Sequence, residues 1–215
     1  MPTGDMPIMS PKAQRKPELD RKRQLVAQET ARIIVTQGIR DYHLAKRKAA
    51  DRLGLRDRGS LPGNGEIEQA IEDYHLIFGG AEHPALLRRL RGAALTAMEL
   101  LATFSPRLVG PVLNGTADEN SAVNLHVFSD STEAVGVHLQ SAGFASRTYE
   151  RRLKSRRDQV HAYAGYEFTC GNVVVQATVF PYDGLRQAPL SPVDAKPMQR
   201  ADLKAVQDLL STSPA

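Results

Sequence analysis

Residues 106–128 read PRLVGPVLNGTADENSAVNLHVF, and the periodicity of the chain changes at their start. Before Pro106 apolar residues recur at three- and four-residue steps; after it they come in short runs and alternations, the extended pattern. Residues 109–113 and 123–128 read as two strands flanking a polar turn from Asn114 to Ser121. Downstream, residues 132–140 closed by Gly143 read as a short helix. Residues 147–153, 160–170 and 173–180 read as strands, the last two joined at Gly171-Asn172, a dipeptide suited to a tight hairpin. Four prolines and no period mark residues 181–200, and a short helix with Leu203, Val206 and Leu209 as its stripe follows at 201–210.

Upstream of the quoted stretch the reading is helical. Val26, Thr30, Ile33 and Ile34 give a first helix over residues 18–37, with Gly38 where a left-handed cap fits. Asp41 caps a second helix carrying Tyr42, Ala45, Ala49 and Leu53 inward and ending at Gly54. Residues 55–65 hold four glycines or prolines and read as a loop. Ile67, Ala70, Ile71, Tyr74, Ile77 and Phe78 form the face of a third helix, and a fourth starts at Pro84 with Leu86, Leu87, Leu90, Ala94, Ala97, Met98 and Leu101 inward. Residues 1–17, with four prolines and few apolar groups, are expected to be a disordered tail. The expected fold class is α+β: a tail over 1–17, a helical region over 18–104, and a mixed sheet unit over 105–215 on which the helical part packs.

The 215 residues are 41% hydrophobic and 24% charged, the composition of an ordinary globular chain, which excludes collagen-like and disulfide-scaffold classes. No apolar run approaches the roughly 20 residues of a membrane span, so no membrane partner is expected. The lone cysteine, Cys170, fits a reducing compartment, and cytoplasmic placement is expected. Net charge is +4, but residues 1–60 hold 14 Lys/Arg against 7 Asp/Glu, so the positive field lies at the N-terminal end.

At Asn114-Gly115-Thr116-Ala117, followed by Ser121-Ala122-Val123-Asn124-Leu125, the chain resembles the polymerase-beta-like nucleotidyltransferase superfamily. Its members place a Gly-Ser or similar small pair after a first strand, then a second strand beginning Ser-Asp-hydrophobic-Asp-hydrophobic. The resemblance covers residues 109–180 and implies a mixed sheet, a triphosphate at the glycine turn and two Mg²⁺ ions held by carboxylates. It places phosphate binding at Asn114, Gly115, Thr116 and Ser121: glycine lets backbone N–H groups approach phosphate, and Thr116 adds a hydroxyl. Two carboxylates two apart on a strand share a face and so bridge paired metal ions.

The acids are missing from this chain. Aligned on Ser121, the acidic positions fall on Ala122 and Asn124; shifted by two residues, they fall on Asn124 and His126. The later strand offers Gln176 and Thr178 on one face and no acid. The expectation is therefore a nucleotidyltransferase-like protein that binds a nucleotide or nucleic-acid phosphate after losing two-metal catalysis, with no resident metal and no identified cofactor.

Two alternatives stand beside it. In one, the chain is an active transferase with a rebuilt Mg²⁺ site, using Asp118, Glu119 and Asp130 as ligands and His126 as general base near its natural pKa, with Asn124 alongside. In the other, the basic helices, Lys46 and Arg47 among them, dock RNA, DNA or an acidic partner. A further basic run, Arg147, Arg151, Arg152, Lys154, Arg156 and Arg157, suits polyanions, with Tyr149, Tyr163 and Tyr166 interleaved for base stacking. A charged edge strand that resists aggregation explains the same run.

Overall fold

The computed structural model describes residues 11–39, 41–55, 58–155 and 159–212. Arg156 and Arg157 of the basic run, and residues 1–10 of the expected tail, lie outside them. Among the described residues are seven α-helices and one five-stranded mixed sheet, so the α+β class holds. Among the described residues no helix is long and apolar enough to cross a membrane.

Two compact units divide the chain, Met1–Tyr74 and His75–Ala215. The first holds α1 (Pro11–Gln37), α2 (Tyr42–Leu53) and most of α3 (Asn64–Phe78). Helix α1 starts well before residue 18, because proline fits the first helical position of Pro11; Pro17 inside the helix removes one ladder bond without ending it. Gly38 N–H donates to Ile34 O at 2.9 Å with φ of 63°, and Asp41 accepts from the N–H groups of His43 and Leu44, so both expected caps form. Helix α3 opens two residues before Glu66, whose carboxylate takes the Gly63 N–H at 2.6 Å. Ala27, Ala31, Ile67, Ala70 and Ile71 pack α1 on α3, and Val26, Ile33, Ala45 and Ala49 pack α1 on α2.

The second unit holds α4 (Glu82–Leu100), β1 (Arg107–Val109), α5 (Pro111–Asn114), β2 (Val123–Phe128), α6 (Thr132–Ser141), β3 (Ser146–Lys154), β4 (Val160–Cys170), β5 (Val173–Phe180) and α7 (Leu203–Thr212). Composition puts the break after Phe104, whereas packing puts α4 with the sheet: Leu90, Ala94, Ala97, Met98 and Leu101 share one core with Val123, Leu125, Val175 and Ala177. The first expected strand is displaced to β1. Gly110, at φ 74° and ψ −154°, and Pro111, which has no N–H to donate, end it, and residues 111–114 turn helical.

Strand order is β1-β2-β5-β4-β3. Strand β2 runs antiparallel to β1 and parallel to β5, with Asn124 opposite Gln176, His126 opposite Thr178 and Phe128 opposite Phe180. Strands β3 and β4, and β4 and β5, are antiparallel; Glu167 stands opposite both Gln176 and Arg147. Because side chains alternate, Val123, Leu125, Val127, Val175, Ala177 and Phe168 form the buried side under α4 and α6. The opposite side carries Asn124, His126, Gln176, Thr178, Glu167, Tyr163, Arg147, Tyr149 and Arg151.

Candidate functional site

On the polar side the side chains of β3 lie across the sheet. Arg151 donates from Nη1 to Asn124 Oδ1 at 2.9 Å and from Nη2 to Gln176 Oε1 at 2.6 Å. Its guanidinium carbon stands 5.6 Å from the Tyr149 ring centre. Gln176 passes the network on, donating from Nε2 to Glu167 Oε2 at 2.7 Å, and Arg147 donates from Nε to Glu167 Oε1 at 2.8 Å. Those bonds from Gln176 and Arg147 hold the Glu167 carboxyl below the usual carboxylate range, against a smaller opposing effect of burial. Tyr149 OH and Thr178 Oγ1 bond at 2.8 Å, and burial pushes the Tyr149 phenol up.

Gly165 makes this layer possible. A Cβ there would stand 2.5 Å from Tyr149 Cζ and 2.7 Å from Ala177 O. Only a bare backbone leaves room for the Tyr149 ring against β4.

Next to this network, His126 is 1% exposed and accepts a 3.1 Å bond at Nδ1 from Arg200 Nε. Arg200 also donates from Nη1 to Gly184 O at 2.7 Å, and its guanidinium carbon lies 5.1 Å from the Phe128 ring centre and 5.4 Å from that of Phe180. Burial, then the charges of Arg200 and Arg151, push the His126 imidazole down to about 3. A general base near its natural pKa is thereby corrected: the acceptor nitrogen is occupied by a guanidinium, and the ring stays neutral across the physiological range. Burial and the nearby Arg107 likewise bring Arg200 down to about 10.

The glycine turn departs from its expected role. Gly115 has φ of 87°, but its N–H and that of Thr116 both donate to Pro111 O, at 2.9 and 3.0 Å, and Asn114 N–H donates to Gly110 O. The amides expected to cradle phosphate already close the α5 turn. Ser121 Oγ donates to Asp118 Oδ1 and accepts from Asp118 N–H, both at 2.9 Å, so it serves its own loop. The glycine that directly follows β1 is Gly110, and a Cβ there would meet the Asn124 side chain at 3.6 Å. The pair that directly follows the first strand of the sheet is thus Gly110-Pro111, not Gly115-Thr116.

The acids of the rebuilt-site alternative do not gather. Asp118 Oδ1 accepts from Ser121 and Asn120, Asp130 Oδ1 accepts from Tyr182 N–H, and Glu119 is exposed. Among the described residues no three His, Cys, Asp or Glu side chains form a metal-holding group. Two Mg²⁺ ions do not fit the polar side either: Asn124, Gln176 and Thr178 are neutral, Glu167 is bound to Arg147, and the Arg151 guanidinium lies between the two amides.

Of the remaining basic candidates, Arg152 pairs with Glu150 and faces away from Arg151. Lys46 donates to Asn64 Oδ1 at 2.7 Å and is held below the usual lysine range by burial, while Arg47 is exposed. Glu29 holds Arg32 and Arg52, and Glu18 holds Lys22, so these three cations are paired within their own unit. Tyr149 and Tyr163 share the polar side; Tyr166 points to the helix side, where a Cβ on Gly136 would meet its OH at 2.7 Å.

Sequence reasoning missed Glu167 and Arg200. Glu167 keeps strand phase with Tyr163 and Gly165, a signal available from alternation once β4 is placed beside β5. Arg200 comes from a segment without period and left no such trace. Comparison of the chain with protein-family models, with curated proteins and with solved structures found no match.

Proposed function

We propose that the His75–Ala215 unit is a nucleotidyltransferase-like module that binds a nucleotide or nucleic-acid phosphate on its polar sheet side and performs no two-metal chemistry. The observation that carries this reading is the Arg151 guanidinium seated on Asn124 Oδ1 and Gln176 Oε1. In the superfamily the chain resembles, a second strand and a later strand beside it supply the carboxylates that hold metal. Here the parallel β2–β5 pair brings two amides into register, and an arginine lies between them. Both partners are neutral, so the guanidinium keeps its full charge and its remaining N–H donors for an anion. Arg151 is also only half-buried, so ligand can reach it. The reading suits the cytoplasm, where the lone thiol of Cys170 stays reduced.

The test is titration calorimetry of the full chain with ATP, GTP, CTP and UTP, each with and without Mg²⁺. Binding at millimolar nucleotide or better is expected, with no requirement for Mg²⁺, and it is lost in Arg151→Gln. Absence of binding by all four nucleotides overturns the reading.

A further inference from the structure

The pair formed by His126 and Arg200 has two buried donors with nothing to donate to. An arginine guanidinium only donates, so the bond from Arg200 Nε fixes His126 Nδ1 as acceptor and places the imidazole proton on Nε2. That Nε2–H is buried and has no hydrogen-bond partner; the same is true of Arg200 Nη2. A buried donor without an acceptor costs about 1–3 kcal/mol, and two in one contacting pair point to an acceptor that arrives from outside the chain.

The surroundings specify that acceptor. Arg200 is held by His126, by the Gly184 carbonyl and by two aromatic rings, all uncharged. Arg107 lies close enough to lower the Arg200 pKa, and its own Nη1 is bonded to the Ser105 and Pro106 carbonyls. Positive charge thus gathers without a neutralising carboxylate in any of these bonds, which suits an oxyanion better than a water. The position follows from strand phase. Asn124, which anchors Arg151, and His126, which anchors Arg200, are two residues apart on β2, so the two guanidinium groups are anchored roughly 6.6 Å apart along one strand.

We propose that His126 and Arg200 form a second oxyanion subsite beside Arg151, so that the polar sheet side takes a ligand with two adjacent phosphoryl groups, bound as the metal-free anion. This rests on the phosphate-binding reading above and names the ligand class for it. Each guanidinium takes one phosphoryl group, and His126 Nε2–H adds a neutral donor. Because the site answers the anion with arginines, Mg²⁺ on the diphosphate removes charge that the protein uses; Mg²⁺ weakens binding instead of assisting it.

Pyrophosphate, inorganic phosphate and malonate, each titrated into the full chain with and without Mg²⁺, test the proposal. Pyrophosphate is expected to bind at least tenfold tighter than phosphate or malonate and to lose affinity when Mg²⁺ is added. Arg200→Gln should erase the advantage of pyrophosphate over phosphate while phosphate binding persists. In the unaltered chain, ¹⁵N-labelled histidine spectra should show the His126 Nε2–H signal moving with pyrophosphate occupancy, a readout that needs no variant to fold. Equal binding of pyrophosphate and phosphate, equal binding of malonate, or a His126 signal unmoved at saturation overturns the second subsite. If nucleotides still bind through Arg151 in those cases, the phosphate reading survives alone; if no anion binds, both fail.

Discussion

Arg151 and Asn124 are hydrogen-bonded at 2.9 Å although their strands, β3 and β2, are separated in the sheet by β4 and β5. At about 4.8 Å per strand, that is roughly 14 Å of sheet, so the arginine has to lie across its neighbours instead of standing off them. Contacts of this length tie β2, β5, β4 and β3 into one layer, and they present the charged end of Arg151 over the middle of the sheet. Arg151→Lys keeps a charge but not the fork that spans two amide oxygens. It should lower nucleotide affinity by about tenfold, with Arg151→Gln losing more, while the urea midpoint of the half-buried site changes little. Calorimetry and urea melts on the same samples separate the two effects; equal affinity for the lysine variant sinks the fork argument.

Gly165→Ala should destabilise the fold by roughly 1–3 kcal/mol, the cost of an overpacked site. The added Cβ would stand 2.5 Å from Tyr149 Cζ and 2.7 Å from Ala177 O. Tyr149→Ala relieves the first clash but not the second, which is with backbone. In a urea-monitored double-mutant cycle the pair should therefore show partial coupling, and full additivity would mean that Tyr149 does not lie over β4.

How much of this was legible depends on the range of each interaction. Gly38, Asp41 and Gly54 act within one helical turn, so sequence places these caps directly. The phase of β2 and β5 was also readable: Asn124, His126, Gln176 and Thr178 alternate with residues that are buried under the helices. The β4–β5 pair was readable from its Gly171-Asn172 hairpin, but the other strand neighbours were not. Nothing local says that β5 lies beside β2 or that β3 lies beyond β4, and so Glu167 was overlooked and the reach of Arg151 to Asn124 could not be foreseen. The turn failed for a different reason. Gly115 has the positive φ that its sequence suggests, but Pro111 supplies a carbonyl that takes the amides on which a phosphate would depend.

His126 makes the fold acid-sensitive in a defined direction. Its pKa is pushed down to about 3 in the folded chain, from about 6.5 when unfolded, by burial and by Arg200 and Arg151 facing it from the segment after β5 and from β3. Between those values the unfolded state binds the extra proton, so this contribution is fully present above pH 6.5 and is lost as pH falls towards 3. The slope is about 1.4 kcal/mol per pH unit, so roughly 2 kcal/mol should go between pH 6.5 and 5. Urea unfolding of the unaltered chain and of His126→Gln at both pH values isolates the difference. A His126 titration near pH 6.5 in the folded protein, read by ¹⁵N spectra, contradicts it.

Glu167 sets the sign of a last prediction. Its carboxylate accepts from Gln176 and Arg147, is 16% exposed at the side chain, and stands on the same side of the sheet as Arg151. It therefore does two things: it orders Gln176, which holds Arg151, and it cancels the charge of Arg147 next to the proposed anion site. Glu167→Gln keeps the size of the side chain and an amide oxygen for Gln176 Nε2, but removes the negative charge. The ion pair itself is worth little, since the Arg147 side chain is 79% exposed, so stability should fall by less than about 1 kcal/mol. Anion affinity should rise, on the order of fivefold, because one like charge is removed from the neighbourhood of the bound phosphate and Arg147 is released. The dependence of binding on salt should steepen in the same variant, since an additional cation then answers the ligand. Calorimetry with ATP at two ionic strengths, on the unaltered chain and on Glu167→Gln, reads both. A loss of affinity in place of a gain assigns the Glu167 carboxylate to the ligand itself, as an acceptor for a hydroxyl or ammonium group, and removes Arg147 from the anion site.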